Sequence, residues 1–392
     1  MSENQTPQEL ETFRTEIRAW IEDNCPAEMR RPMTSDAEIC WGGRKFKFQS
    51  DAQKTWLDRC AEKGLTAPDW PTQYGGGGLT PPQSKIFKEE MDRAGARSPL
   101  RSFGISMLGP ALLKFGTEEQ KMEHLPKICR GEIRWCQGYS EPGSGSDLAS
   151  VATKAEDKGD HWIVNGQKIW TSYADEADWI FCLVRTDPTA KKQLGISFVL
   201  FDMETLGVST KPILLISGKS PFCETFFDDV KVPKSNLVGT ENRGWDVAKH
   251  LLAHEREMIS GMGSERSGPM GEEFGDDLKH DPLLRAQMAH FDVRAQAMRA
   301  TAELFLEDFK RGKAHPAMSS MMKYYGTELN KDRFELLMSG GGAKALEWDS
   351  QRSQHGAIPR AWLRTKANSI EGGTSEIQLN IISKRILELP SS

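Results

Sequence analysis

The 392-residue sequence contains no CxxC pair and no basic stretch leading into an apolar one at its start. Nor does any run approach the roughly 18 apolar residues that a membrane helix needs. Its seven cysteines, an odd and scattered set, exclude a disulfide framework or a Cys-rich zinc site. They read instead as buried, reduced thiols, Cys182 within Ile180–Val184 most clearly. No large charge of one sign is present: the net charge is −5 and the pI near 6.0, which argues against a nucleic-acid footprint. No internal repeat or low-complexity segment appears. With 38% hydrophobic and 27% charged residues, the chain has the composition of a globular protein of two or three domains. A reducing, aqueous compartment follows, read as cytoplasmic.

The first third carries helical periodicity. Thr6-Pro7-Gln8-Glu9 forms a capping box with Pro at the first helical position, followed by Leu10, Phe13, Ile17, Trp20 and Ile21. That helix must stop before Pro26. A second capping box, Thr117–Gln120, opens a helix expected to run to Pro126. From Ile133 to about Val238 the texture changes to short runs rich in Val, Ile, Phe, Trp and Thr. Asn165-Gly166 between two such runs predicts a hairpin turn. Gly195–Phe201, Lys211–Ile216 and Cys223–Val232 predict further strands. Helical periodicity returns from Gly244, with breaks at Gly268-Pro269, His315-Pro316, Gly340–Gly342 and Gly372-Gly373. The order predicts an α+β protein: an N-terminal helical domain (1–132), a small central β-barrel (133–240) and a C-terminal helical bundle (241–392).

Four places carry chemistry. The loop Ser140–Asp147 is dense in Gly and Ser, which free the backbone to wrap an anion or meet flavin carbonyl oxygens; taken alone it reads first as a plain turn. Trp170, Thr171 and Ser172 set an aromatic beside hydroxyls, as a flavin site does, although an edge aromatic of a barrel is the simpler reading of Trp170. On the helix from Gly244, Ala248, Leu252, Glu255, Ile259 and Met262 share one face, and a carboxylate within an apolar stripe is costly unless paired or functional. Burial raises its pKa and suits a general base; an ion pair with a distant Arg is the alternative. Glu257 lies about 200° round that helix and faces elsewhere. Finally, Gly372-Gly373 lead into Ser375–Gln378, read as a capping box whose free N–H groups point back over the glycines, or as an interhelix turn.

Together these segments resemble the acyl-CoA dehydrogenase family over nearly the whole chain. The resemblance rests on Gly116-Thr117 with Glu119–Lys121, Leu125-Pro126, Gly131-Glu132, Ser140–Asp147, Asn165–Lys168 with Trp170, and Phe227–Val230 with Val232-Pro233. Asn236, Gly239, Gly244 and Gly373–Ile377 continue it. It implies two helical domains around a small β-barrel, with FAD held by barrel, C-terminal helices and a partner subunit. By position, Tyr139, Ser140, Gly145, Ser146, Trp170, Ser172, Arg285, Thr374 and Glu376 would contact FAD. Ser140 would meet the pyrimidine ring, Ser146 the pyrophosphate, and Ser172 the region of N5. Ser146, Arg256 and Gly372 would meet an acyl-CoA substrate.

Three departures stand out. Many members place the catalytic glutamate where this chain has Gly372, and a minority branch, including isovaleryl- and long-chain-type enzymes, places it where this chain has Glu255-Arg256. The resemblance and the apolar stripe thus choose the same base, Glu255, with Glu371 as fallback. Met288 stands where a Phe is usual, and Ser339–Lys344 where a Gln and a glycine-rich stretch grip the partner's FAD. Both departures resemble a bacterial branch associated with steroid side chains and other bulky acyl groups.

The implied reaction is α,β-dehydrogenation of an acyl-CoA thioester, with electrons passed to an electron-transfer flavoprotein in a homo- or hetero-oligomer. Two alternatives stay open: an oxidase or other flavoenzyme on the same fold, and a non-catalytic subunit of a hetero-oligomer.

Overall fold

The structure is a computed structural model. It describes residues 5–33, 35–260, 270–273, 281–315 and 317–390, without the side chains of 253–260, 272, 273, 306, 309 and 310. Gly268-Pro269, Met262 and Pro316 lie outside the described residues. The chain forms two compact units, one of residues 1–212 with 222–248 and the other of 213–221 with 249–392.

In the first unit the opening helix, Pro7–Asn24, starts as its sequence dictates. The Glu9 N–H donates to the Thr6 hydroxyl (3.3 Å), and the Glu9 carboxylate accepts from the Thr6 N–H (2.7 Å). Its apolar face, Ile17 and Ile21, buries against Trp56, Cys60, Ile86, Phe87 and Met91 from the helices Asp51–Glu62 and Pro81–Arg93. The second capping box also forms, but its helix, Glu118–Cys129, continues through Pro126. The main-chain bond lost there is the one to Met122, a residue exposed to water, so the break is tolerated. Gln120 both caps this helix and donates to the carbonyls of Ser235 (2.8 Å) and Leu237 (2.7 Å), docking it on the chain beyond the sheet.

The sheet is a single curled, half-barrel layer of seven strands. They are β1 (Trp135–Gly138), β2 (Lys154–Asp157), β3 (His161–Ser172), β4 (Trp179–Arg185), β5 (Ile196–Asp202), β6 (Val208–Ile213) and β7 (Phe222–Pro233). The order is β1-β4-β2-β3-β7-β6, with β5 paired to β4. Trp162, Val164, Cys182, Phe201, Phe227 and Val230 form its core. All seven cysteines are buried and free.

The expected hairpin at Asn165-Gly166 does not form. β3 runs straight through it, paired antiparallel with β7, and absorbs the pair as a register shift between Val164 and Gly166. Asn165 spends its amide on Asp229 of β7 (2.9 Å), and Gly166 admits β2 so closely that a Cβ would meet Thr153 Cα at 2.8 Å. The strand expected at Lys211–Ile216 sits earlier, as β6, leaving Leu214 and Ile216 exposed beyond it.

The C-terminal unit packs the helices Pro282–Lys310 and Met318–Gly341 through Met288, Phe291, Met298, Met322, Leu329 and Leu336. The expected break at Gly340–Gly342 falls at its last glycine, where Gly342, at φ 52°, ends the helix. Shorter helices at Ala357–Thr365 and Ser375–Arg385 complete the unit. Among the described residues no helix is long and apolar enough to cross a membrane.

Candidate functional site

In the first unit the loop Ser140–Asp147 is built from its acidic residue outward. Glu141 and Ser144 close a tight turn by exchanging main-chain bonds of 2.8 and 3.0 Å. The buried Glu141 carboxylate accepts from the N–H groups of Ala152 (2.6 Å) and Thr153 (2.9 Å) and from Lys168 Nζ (2.7 Å). Burial alone would raise its pKa, but the Lys168 charge and these bonds outweigh it and hold the carboxyl below its ordinary range. Lys168 also donates to the Tyr139 carbonyl (3.1 Å). The loop is thereby pinned from beneath, while Gly145 and Ser146 stay exposed at its top. A Cβ at Gly143 or Gly145 would meet no atom within 4 Å, which leaves the backbone open to a ligand.

The Ile169 N–H donates to the Ser140 carbonyl (2.9 Å), which sets the loop beside Trp170. Trp170 lies where the β3–β7 register shifts between Lys168 and Thr171, with φ at 61°. A tryptophan in left-handed backbone is strained, and here the strain turns a large ring outward: it is 52% exposed and meets Phe222 edge-on, at 6.1 Å. Ser172 follows, half-buried, and Tyr173 is again left-handed at φ 52°. Ser140, Gly145, Ser146, Trp170 and Ser172 therefore belong to one surface of this unit. The Tyr139 ring does not; it is buried between Phe181 and Phe198, edge to face at 6.2 and 6.4 Å.

The second group of expected residues lies in the C-terminal unit. Glu255 stands on the helix Gly244–Ser260, one turn after buried Leu251 and two after buried Ala248. Its side chain and those of Arg256 and Glu257 lie outside the described residues. Glu371, the fallback base, is engaged: Arg364 grips both carboxylate oxygens (3.2 and 2.8 Å) and the Asn368 amide donates to one of them (2.6 Å). Gly372 and Gly373 are both left-handed, at φ 64° and 88°. Among the described residues the Gly372 N–H has no acceptor.

The helix after this turn begins one residue earlier than expected. Thr374, not Ser375, is the cap, its hydroxyl accepting from the Ile377 N–H (3.2 Å). Glu376 lies in the first helical turn, where its own N–H and the Thr374 hydroxyl lower its pKa. Gln378, expected to close the box, instead turns back to the carbonyls of Gly372 (3.1 Å) and Gly373 (3.3 Å).

Arg285 is exposed in the first turn of the Pro282–Lys310 helix, and Met288 is buried beneath it. From the residue after Arg285 to Ser339 runs a groove of about 430 Å³, lined among others by Gln287, His290, Phe291, Arg294 and Asp332. It joins the two places expected to reach a neighbour's cofactor. Sequence reasoning missed Lys168, Arg364 and Lys323, a fully buried lysine beneath the glycine turn. Lys168 and Lys323 had a signal, a charge on an inward-facing position; Arg364, one third exposed, had none.

Comparison with known proteins gives the family. The acyl-CoA dehydrogenase N-terminal, middle and C-terminal domain models match residues 7–132, 136–230 and 269–387. The chain is 36% identical over 392 residues to acyl-CoA dehydrogenase IpdE1 of Mycobacterium tuberculosis, covering 98% of each. Among solved structures, the Tcur3481-Tcur3483 steroid ACAD is similar with a TM-score of 0.78 and 30% identity over 99% of each chain. The ChsE4-ChsE5 complex of M. tuberculosis gives 0.74 and 29% over 100% of each. The chain belongs to the acyl-CoA dehydrogenase family, whose members are FAD flavoproteins, and it is an oxidoreductase of that kind.

Proposed function

We propose that this protein binds FAD and desaturates an acyl-CoA thioester at its α,β bond, with Glu255 as the base. The observation that carries the choice of base is the state of the C-terminal turn. Glycine occupies 372, and the neighbouring carboxylate of Glu371 is held by Arg364 and Asn368. Both oxygens of that carboxylate are already engaged by Arg364 and one of them also by Asn368, which leaves the carboxylate on the apolar stripe.

The residues present fit the flavin. The open backbone at Gly143–Ser146 and Ser140 would hold its polar edge, the outward ring of Trp170 would flank it, and Ser172 would stand near its N5. FAD, when bound, supplies the acceptor for the β-hydride. Glu255 takes the α-proton as negative charge moves to the thioester oxygen, and the Gly372 N–H donates to that oxygen. Arg256 and Ser146 would meet the CoA thioester.

The groove between Arg285 and Ser339 would take the adenine end of a neighbour's FAD, so the chain would assemble with a second copy or a related chain. The likeness to the steroid ACAD favours a bulky, ring-bearing acyl group, and an electron-transfer flavoprotein would collect the electrons.

The test is anaerobic flavin reduction in the assembled protein. Glu255→Gln should keep FAD and acyl-CoA binding and slow reduction by about 10²–10⁴-fold, the usual contribution of a general base. Reduction at the wild-type rate would remove Glu255 from the mechanism. Oxygen consumption with release of hydrogen peroxide at the catalytic rate would favour an oxidase.

A further inference from the structure

Lys323 lies in the second turn of the Met318–Gly341 helix with no exposure to solvent. Its Nζ donates to the carbonyls of Asn368 (3.0 Å) and Gly373 (2.9 Å), at either end of the turn that carries Gly372. Taking an ammonium out of water is expensive, and hydrogen bonds to these carbonyls offset part of that cost.

The turn is fixed from both sides. On its N-terminal side the Glu371 N–H bonds the Ala367 carbonyl (2.9 Å), and Arg364 and Asn368 clamp the Glu371 side chain. On its C-terminal side Gln378, itself buried, holds the Gly372 and Gly373 carbonyls, and Lys323 holds that of Gly373 from the other helix. The Gly372 N–H shares its peptide with the Glu371 carbonyl and lies between these two anchored ends, so its direction is set by how firmly the turn as a whole is held. Two successive glycines in left-handed backbone would otherwise be free to move, and a donor that wanders stabilises developing charge poorly.

We propose that Lys323 is a positioning residue for α-deprotonation. By anchoring the Asn368 and Gly373 carbonyls it holds rigid the turn whose Gly372 N–H meets the thioester oxygen, and its buried charge favours the anionic form of the substrate. The proposal rests on the assignment of the Gly372 N–H to that oxygen.

The experiment uses the assembled, FAD-loaded enzyme and a 3-ketoacyl-CoA, whose α-carbon is acidic enough to bind as the enolate. The enolate absorbance is titrated with pH for wild type and Lys323→Met. The apparent pKa of the bound thioester should rise by about one unit, a tenfold weaker hold on the anion. Flavin reduction at saturating acyl-CoA should fall by roughly 10²-fold, the scale for loss of one oxyanion donor, with KM little changed. Lys323→Gln, which keeps a donor but no charge, should fall between the two.

Should Lys323→Met not fold, Gln378→Leu frees the same turn from the other side and should raise the same pKa. Unchanged enolate pKa and reduction rate in the folded variant would overturn the role of Lys323 while leaving Glu255 in place. Wild-type enzyme that does not take up the 3-ketoacyl-CoA as its enolate would overturn the underlying reading and this one with it.

Discussion

Lys168 Nζ lies 2.7 Å from a Glu141 carboxylate oxygen, and the two side chains, 0% and 8% exposed, form a buried ion pair beneath the Ser140–Asp147 loop. Removing one member strands the other. Lys168→Met should cost about 3–5 kcal/mol in chemical denaturation, the scale for an uncompensated buried charge, and should lower the ratio of flavin to protein. Adding Glu141→Gln to that variant should recover part of the stability, because no charge then remains buried. Flavin content should stay low, since the loop has lost its anchor. A double variant no more stable than Lys168→Met would show that the amide N–H groups alone satisfy Glu141.

Trp170 offers a trade of stability against function. A left-handed φ costs a non-glycine residue on the order of 1–2 kcal/mol, and the exposed ring gains little from burial in return. Trp170→Gly should therefore leave the melting temperature unchanged or raise it slightly, while weakening FAD binding and slowing flavin reduction. Calorimetry and a flavin titration on one preparation check both halves. A large loss of stability would mean that the ring supports the sheet.

The N-terminal helices carry a pH dependence of definite sign. Glu90, 2% exposed, accepts from Arg18, Arg93 and Arg14, which outweigh burial and hold its carboxyl at about 2 against an ordinary 4.5. A group whose folded pKa is depressed stabilises the fold fully above its unfolded value. That contribution disappears as pH falls through the interval from 4.5 toward 2. Urea midpoints should drop across this interval, and Glu90→Gln should be less stable at pH 7 with a flatter dependence below 4.5. Parallel curves for the two proteins would refute the linkage.

The helix starts and the change from helical to strand texture were legible because they are local: Thr6 and Thr117 cap as their neighbours dictate. The Asn165-Gly166 misreading had a consequence. Trp162, Val164 and Lys168 are buried at even-numbered positions of one continuous strand, so Lys168 lies with the core residues. A turn placed at Gly166 breaks that alternation and hides the lysine. The register shifts that carry Trp170 depend on pairing with β7, more than 50 residues away, and no local pattern announces them. Lys323 was legible by the argument used for Glu255, a charge among Met322, Gly326, Thr327 and Leu329 on one helix, all buried in the structure. The engagement of Glu371 was not, because Arg364 and Asn368 reach it only once the turn at Gly372 is formed.

Glu371→Gln separates the two candidate bases. The Arg364–Glu371 pair is partly open to water, with exposures of 33% and 24%, so its loss should cost no more than about 1 kcal/mol. A Gln side chain still accepts from Arg364 through its amide oxygen, so the turn and the Gly372 N–H should keep their places. Anaerobic flavin reduction should then stay within several-fold of wild type, far from the about 10²–10⁴-fold loss expected of Glu255→Gln. Glu257→Gln, about 200° round the helix from Glu255, should be nearly silent and serves as the control for a changed charge. The opposite pattern, reduction abolished by Glu371→Gln and intact in Glu255→Gln, would move the base to the C-terminal turn. Arg364 would then have to release Glu371 when substrate binds, and Arg364→Met would quicken reduction instead of slowing it.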